Sequence, residues 1–141
     1  MTLEFGPASD EDVPAIEKML AENDRGVQPY EWGRWLVARD GSEIVGAIHV
    51  ADVDGALYLD DVLVTEERRG VGIGSRFMRI LLDDRDVYLA CHDNRIAFYE
   101  RLGFELIEES ELPQQVLEHA YRTEDLPTAP DHVHRMMRRR A

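Results

Sequence analysis

The stretch Arg68-Arg69-Gly70-Val71-Gly72-Ile73-Gly74-Ser75 is placed between a run typical of a β-strand, Leu57–Val64, and a run typical of an α-helix, Gly72–Leu82. Glycines lack a Cβ atom, so the backbone N–H groups of such a turn can converge on a phosphate. The N-terminus of the following helix adds partial positive charge, and Arg69 adds a full one. The stretch therefore predicts an anion-binding turn. The alternative is a plain left-handed turn that starts a helix.

Two common phosphate-binding motifs do not fit this turn. A Walker loop ends in Gly-Lys-Ser/Thr, whereas the single lysine of the chain, Lys18, lies far from the turn. A dinucleotide-binding turn needs G-x-G-x-x-G, whereas the third residue after Gly72 is Ser75. The pattern that does fit is R-x-x-G-x-G, from Arg69 to Gly74.

The rest of the chain alternates between patterns typical of strands and of helices. Strands are predicted over Leu3–Phe5, Trp35–Arg39, Glu43–Val53, Leu57–Val64, Val87–Cys91, Phe104–Ile107 and Val133–Met137. Helices are predicted after a capping box from Ser9 to Asp12, and over Gly72–Leu82, Asn94–Leu102 and Pro113–Arg122. Gly103 is expected to end the third helix in the left-handed conformation. No repeat or linker interrupts this order, so it predicts one α/β domain over residues 1–141 with a mixed sheet.

The chain is strongly acidic. Its 141 residues include 29 acidic and 16 basic side chains, which gives a formal net charge of −13. The mean field repels phosphate, so duplex nucleic acid is not expected as a partner. The one basic cluster, at the C-terminus, is interpreted as a solvated terminal strand and tail; it consists of Arg135, Arg138, Arg139 and Arg140.

Cysteine content and hydropathy limit the class of protein further. The single cysteine, Cys91, cannot close an intrachain disulfide, and zinc-ligand cysteine pairs are missing from the sequence. The N-terminus has no leader pattern, and no apolar run approaches the length of a membrane span. We therefore expect a cytoplasmic protein without a metal or a membrane partner.

A second motif follows the fifth predicted strand. Asn94-Arg-Ile-Ala-Phe-Tyr-Glu-Arg-Leu-Gly-Phe104 resembles a signature of the GNAT superfamily of acetyl-CoA-dependent N-acyltransferases, N-x-x-A-x-x-F-Y-x-x-x-G-F, with one spacing residue removed. The R-x-x-G-x-G turn resembles the pyrophosphate loop of the same superfamily. The likeness extends from Leu3 to Phe104 and weakens in the C-terminal third.

This resemblance implies a mostly antiparallel sheet with a splay between strands 4 and 5 and with helices on both faces. It also implies acetyl-CoA as the co-substrate, with pantetheine lying along the fourth strand like an added strand. Tyr99 stands where the family has the phenol that protonates the coenzyme A sulfur; the alternative is an ordinary half-buried aromatic. The cofactor-binding residues that the resemblance implies are Val62, Leu63, Val64, Arg69, Gly70, Val71, Gly72, Ile73, Gly74, Ser75 and Asn94.

Asp60 and Asp61 are candidates for receiving the acceptor amine. Adjacent strand residues face opposite sides, so at most one of the two enters a given cleft unless a bulge intervenes. The stretch from Leu59 is similar to diamine (spermidine/spermine) N-acetyltransferases, in which an acidic pair occupies these positions and the first acid serves the amine. Asp60 is one methylene shorter than the glutamate of that family, so its role as a base could require a water relay. The alternative is surface charge in an acidic protein.

Other side chains carry weaker signals. Cys91 and His92 are adjacent and point apart on a strand, so we assign them no catalytic role. His132 and His134 share a strand face, but two imidazoles without a third ligand indicate a metal only weakly. Tyr30, Trp32 and Trp35 fall where the family builds its acceptor pocket, although core packing is the simpler interpretation.

The sequence therefore predicts direct acetyl transfer to a primary amine of a small molecule or of a protein. Two alternatives stay open: transfer from another acyl-CoA, and a module that binds acyl-CoA without turnover. The residues from Pro113 onward could pack against a second copy of the chain, so a homodimer is possible at this stage.

Overall fold

The structure is a computed structural model that describes residues 2–22, 33–81, 85–122 and 135–141. Its strands are β1 (Glu4–Pro7), β2 (Arg34–Asp40), β3 (Glu43–Val53), β4 (Ala56–Val64), β5 (Val87–Cys91), β6 (Glu105–Ile107) and β7 (Arg135–Arg139). Its helices are α1 (Val13–Glu22), α2 (Ile73–Leu81), α3 (Ile96–Arg101) and α4 (Gln114–Arg122). Short 3₁₀ turns lie at Asp10–Asp12, Glu66–Arg68, Asp93–Arg95 and Glu109–Glu111. Within the described ranges no helix has both the length and the apolar character needed to cross a bilayer.

The seven strands form one sheet in the order β1-β2-β3-β4-β5-β7-β6. Strand β2 is antiparallel to β1 and to β3, and β7 is antiparallel to β5 and to β6. Asp54 and Gly55 form the tight turn between β3 and β4, both with positive φ. Only β4 and β5 are parallel among the pairings of the described strands, so the predicted mixed, mostly antiparallel α/β fold is confirmed.

The last strand differs most from its prediction. It runs over Arg135–Arg139 instead of ending at Met137, and it pairs on both sides, with β5 and with β6. The interpretation of this region as a solvated terminal strand is wrong for Arg138. Its side chain is 12% exposed and donates a hydrogen bond to Glu105.

The described residues group into two compact units. The first comprises Met1–Ala51 and Asp61–Leu81, and the second comprises Asp52–Asp60 and Leu82–Ala141. Strand β4 therefore belongs to both units, with the division after Asp60. The first unit has a core in which α1 packs on β2 and β3; its buried members are Ile16, Met19, Leu20, Trp35, Val37, Ile44, Ala47 and Leu63.

Asp12 connects the start of α1 to the sheet. Its carboxylate accepts the backbone N–H of Ser9 at 2.8 Å, as the predicted capping box requires. It also accepts two hydrogen bonds from the guanidinium of Arg39 on β2, one of them at 2.8 Å. Hydrogen bonding to Arg39, and then to Ser9, lowers the pKa of Asp12 from 3.8 to about 2.

We expect Asp12→Asn to lower the free energy of unfolding by about 2 kcal/mol at neutral pH, because each unit of pKa shift corresponds to about 1.4 kcal/mol. The pKa is lower in the folded state, so this stabilisation is complete above the unfolded value of 3.8 and is lost as the pH falls towards 2. Urea unfolding between neutral pH and pH 2 should therefore show the variant and the wild type converging in acid.

Asp40→Asn is the matched control for this measurement. Asp40 pairs with Arg68 at 2.6 Å, but its side chain is 34% exposed, so its removal should cost less than about 1 kcal/mol. An equal loss in both variants, or a loss for Asp12→Asn that does not change with pH, would contradict the assigned role of Asp12.

Candidate active site

The glycine turn has the conformation that its sequence predicts. Gly70 and Gly72 have φ values of 85° and 87°, which residues with a side chain rarely adopt. A Cβ atom built on either glycine would have no heavy atom within 4 Å. The backbone conformation, and not crowding by neighbours, therefore requires glycine at these two positions.

Helix α2 begins directly after this turn. The carbonyl of Gly72 accepts the N–H of Arg76 at 3.0 Å, which is the first hydrogen bond of the helix. The N–H groups of Ile73, Gly74 and Ser75 precede that bond and so have no acceptor within the helix. Together with the positive end of the helix dipole, these donors suit a phosphate.

Arg68 and Arg69 have different roles in the turn. Arg68 is tied to Asp40 on β2 at 2.6 Å. Arg69 is exposed, and its Nε donates to the carbonyl of Val64 at 3.3 Å. Of the two arginines, Arg69 is therefore the one whose side chain contacts the end of β4 and is exposed to solvent.

The other predicted cofactor residues of the first unit are also located. Val62 and Val64 are partly buried on β4, while Leu63 between them is 2% exposed and belongs to the core, so only its backbone is available to a ligand. Val71 is exposed, Ser75 is partly buried, and Ile73 and Gly74 are buried at the start of α2. A Cβ atom on Gly46 of β3 would lie 2.9 Å from Cγ2 of Ile73, so this glycine allows α2 to pack closely on the sheet.

In the second unit, β4 pairs with β5 over a short length. The parallel register joins Leu57–Leu59 to Val87–Leu89, whereas β4 continues to Val64. Asp60 is the first residue of β4 after this register, and Asp61 follows it. The parallel register therefore covers the first part of β4, and residues 60–64 of the strand follow it.

The Asp60 side chain is held by a histidine that the sequence analysis did not single out. Nε2 of His119 on α4 lies 3.1 Å from Oδ1 of Asp60, and both side chains are only 2% exposed. The ring of Tyr58 contacts the imidazole edge to face, with centroids 4.7 Å apart. The available sequence signal was the position of His119 on a helix face beside the buried Val116 and Ala120, but nothing local indicated Asp60 as its partner.

Tyr99 lies on α3 and is 7% exposed. Its ring packs edge to face against Phe98 and Phe104, with centroids 5.1 and 5.8 Å away, and the guanidinium of Arg95 lies 5.9 Å from its centroid. Gly103 has a φ of 94°, and the N–H of Phe104 returns to the carbonyl of Tyr99 at 3.1 Å. The helix therefore ends in the predicted left-handed conformation, which brings Phe104 back against the backbone and ring of Tyr99.

The remaining candidates are less informative. Asn94 is exposed in the 3₁₀ turn before α3, and His92 is exposed after β5. Burial raises the pKa of the Cys91 thiol, whose Sγ lies 3.7 Å from Sδ of Met137, and a buried thiol of this kind is a poor nucleophile. Trp35 is buried in the core of the first unit. Tyr30, Trp32, His132 and His134 lie outside the described residues.

A sequence profile of the acetyltransferase (GNAT) domain matches residues 31–106, which is more than half of the chain. The chain belongs to the GNAT acetyltransferase family. The expected acyltransferase class is thereby confirmed, whereas the likeness to diamine acetyltransferases stays a prediction. No curated protein matches the sequence.

Solved structures share the fold. N-acetylglutamate synthase from Neisseria gonorrhoeae, complexed with coenzyme A and N-acetyl-glutamate, matches 99% of the chain with a TM-score of 0.78 and 17% identity. The chain spans only 35% of that protein's length. Arabidopsis thaliana Naa50, in complex with the bisubstrate analogue CoA-Ac-MVNAL, matches over 100% of both chains with a TM-score of 0.71 and 16% identity. An acetyltransferase of Corynebacterium glutamicum, described as histone acetyltransferase HPA2 and related acetyltransferase, matches 99% of this chain and 97% of its own, with a TM-score of 0.69 and 21% identity.

We expect Gly72→Ala to weaken coenzyme A binding roughly tenfold to a hundredfold, because an alanine shifts the turn away from the conformation that aligns its N–H groups. The left-handed conformation itself should cost about 1–2 kcal/mol of stability. Isothermal titration calorimetry measures the binding, and urea unfolding measures the stability.

Gly41→Ala supplies the control for backbone strain. Gly41 has a φ of 65°, lies in the turn between β2 and β3, and also has open space around a built Cβ. Its variant should lose comparable stability and bind coenzyme A like the wild type. Unchanged affinity in Gly72→Ala would mean that the turn does not hold the ligand.

Proposed function

We propose that the chain transfers the acetyl group of acetyl-CoA to a primary amine by direct attack within a ternary complex. The observation that carries the proposal is the turn with two left-handed glycines at the start of α2, directly after β4, in a member of the GNAT family. In this reading residues 1–141 act as one N-acetyltransferase domain. Coenzyme A is supported as the ligand because the structurally similar proteins of Neisseria and Arabidopsis were determined with coenzyme A or a conjugate of it.

The turn binds the pyrophosphate of coenzyme A in this proposal. The N–H groups of residues 70–75 donate to the phosphate oxygens, and Arg69 neutralises part of their charge. The pantetheine amides bond to the backbone of Val62–Val64, the part of β4 that lies beyond its register with β5. Asn94 is proposed as a further contact to the cofactor, as its place in the second signature implies.

The acceptor enters as an ammonium ion, so two protons leave its nitrogen during the reaction. The acceptor first gives one proton to a base, and its nitrogen lone pair then attacks the thioester carbon to form the C–N bond. A backbone N–H of Val62 or Val64 stabilises the negative charge on the carbonyl oxygen. The C–S bond breaks, Tyr99 donates its phenolic proton to the leaving thiolate, and the second amine proton restores the phenol.

Asp60 is the proposed base, with Asp61 as the second acidic candidate. The Asp60 side chain is 2% exposed, so a relay through water fits its burial better than direct contact with a bulky ammonium. The acceptor class is left open between small amines and protein amines. The similar structures do not choose, because one was determined with N-acetyl-glutamate and another with a peptide conjugate.

For Tyr99→Phe we expect kcat to fall about 10²–10⁴-fold, the usual contribution of general acid catalysis, because the ring stays packed while the proton donor is lost. Acetyl-CoA affinity should be nearly unchanged. The measurement is thiol release under saturating acetyl-CoA and amine, with calorimetry for affinity.

Tyr88→Phe provides the control for the loss of a buried hydroxyl. Tyr88 is 3% exposed on β5, where it is in register with Arg138 of β7, and it has no proposed contact with a ligand. Its variant should keep wild-type kcat. Wild-type turnover in Tyr99→Phe would remove Tyr99 from the mechanism, and an equal fall in both variants would reduce it to a packing effect.

We expect Asp60→Asn to lower kcat/KM for cationic amines, because the acceptor loses both its base and a charge-assisted contact. The loss should shrink at high pH, where more of the amine is already neutral. Asp61→Asn, assayed in parallel, should differ clearly in size. If both variants acetylate amines as well as the wild type at neutral pH, neither carboxylate serves the acceptor.

A further inference from the structure

His119 and Asp60 form a buried pair in the second unit. The two residues are 59 positions apart in sequence, on α4 and β4, and their facing atoms Nε2 and Oδ1 lie 3.1 Å apart. Each side chain is 2% exposed, so water screens neither group. The imidazole of His119 also contacts the Tyr58 ring, and this contact further restricts the orientation of the imidazole.

Ionisation of Asp60 sets the direction of its hydrogen bond with His119. An ionised carboxylate only accepts hydrogen bonds, so an imidazole nitrogen that faces it carries a proton. The bond fixes the rotamer of Asp60 and stabilises its charged form, which burial by itself would disfavour. Without this partner, the Asp60 carboxyl group would bind a proton more readily.

A purely structural role explains the pair poorly. Replacing a buried polar pair by apolar groups of similar volume is often neutral or stabilising, so the fold has no general need for an imidazole at this position. The neighbouring positions on the same face, Val116 and Ala120, are apolar and buried. The pair instead involves the residue directly after the last register position of β4 with β5, where the proposed function places the base.

We propose that His119 is a positioning residue for acetyl transfer, which keeps Asp60 ionised and oriented to accept the proton of the acceptor amine. The inference rests on the proposed function. When Asp60 takes the proton, His119 keeps its Nε2–H and stabilises the carboxylate before and after each turnover; no bond of His119 forms or breaks. Its contribution appears only in steps that use Asp60, so binding of acetyl-CoA does not depend on it.

Two charged residues are adjacent in sequence to the pair, Glu118 on α4 and Asp61 on β4. Glu118 precedes His119 on α4 but is exposed, and it accepts a hydrogen bond from Gln114 at 3.1 Å. Asp61 follows Asp60 on β4. Replacement of His119 is expected to change the pH profile. If the same replacement causes no such change in the Asp60→Asn variant, the change is assigned to Asp60.

The test compares His119→Leu, which lacks the donor, with His119→Gln, whose amide nitrogen can replace Nε2. Steady-state thiol release is followed between pH 5 and 10 with a saturating cationic amine. We expect His119→Leu to lower kcat about tenfold to a hundredfold, a part of the usual contribution of general base catalysis. The acidic limb of its kcat profile should move to higher pH, because a buried carboxylate without its donor binds a proton more readily. His119→Gln should recover most of kcat.

Val116→Ala is the matched structural control. Val116 is 1% exposed and lies one turn before His119 on α4, so its truncation loosens the same helix without touching the pair. At a similar loss of stability it should keep the wild-type pH profile. If Val116→Ala and His119→Leu reduce kcat equally with unshifted profiles, His119 only supports the helix and the proposal is wrong.

A double-mutant cycle keeps the proposal testable even where His119→Leu folds poorly. His119→Met is the second donor-free variant, because its flexible side chain fills an irregular space. Added to Asp60→Asn, either change should cause almost no further loss of kcat, since His119 acts through Asp60. Full additivity would overturn the inference. Failure of the proposed function is a different result: the wild type would then release no thiol with any amine.

Discussion

The parallel register of β4 with β5 stops at Leu59, and the placement of the proposed ligand along the rest of β4 depends on this limit. A strand has backbone donors and acceptors on both edges, and each needs a partner. Leu57–Leu59 meet β5, and Ala90 and Cys91 of β5 continue only with β7. Strand β4 continues for five residues beyond the register, to Val64, and leads through one 3₁₀ turn into the glycine turn. The register is therefore followed by a length of strand and then by the glycine turn, which is the order that the proposed ligand, with its amide-bearing arm and its pyrophosphate, requires.

Local sequence predicted much of this arrangement. Gly103 was expected to adopt the left-handed conformation and does so, and Gly70 and Gly72 of the glycine turn also have positive φ. The signature from Asn94 to Phe104 also has a physical basis, because Gly103 returns Phe104 to the carbonyl and ring of Tyr99. These features depend on residues within about one helical turn of one another, so a short stretch of sequence is sufficient to predict them.

The parts that sequence reasoning missed depend on long-range pairing. The insertion of β7 between β5 and β6 cannot be deduced from the composition of Arg135–Arg139, which suggested a solvated tail. His119 was overlooked because its partner lies 59 residues earlier, on a strand whose alternation alone did not say which aspartate would be buried. Two buried aspartates also differ in partner: Asp12 holds a guanidinium at the start of a helix, and Asp60 holds an imidazole beside the proposed chemistry. A guanidinium is always charged, which suits the structural role of Asp12.

The most direct test of the central claim is an assay of acetyl-CoA with a panel of primary amines, including diamines, amino acids and peptides with a free N-terminus. Thiol release and the mass of the acceptor are measured together, and the mass of the protein is followed without an acceptor. We expect at least one amine to be acetylated in the same amount as thiol is released, and the protein itself to carry no acetyl group. Tight binding of acetyl-CoA without thiol release for any amine would contradict the account and would indicate a module that only senses acyl-CoA.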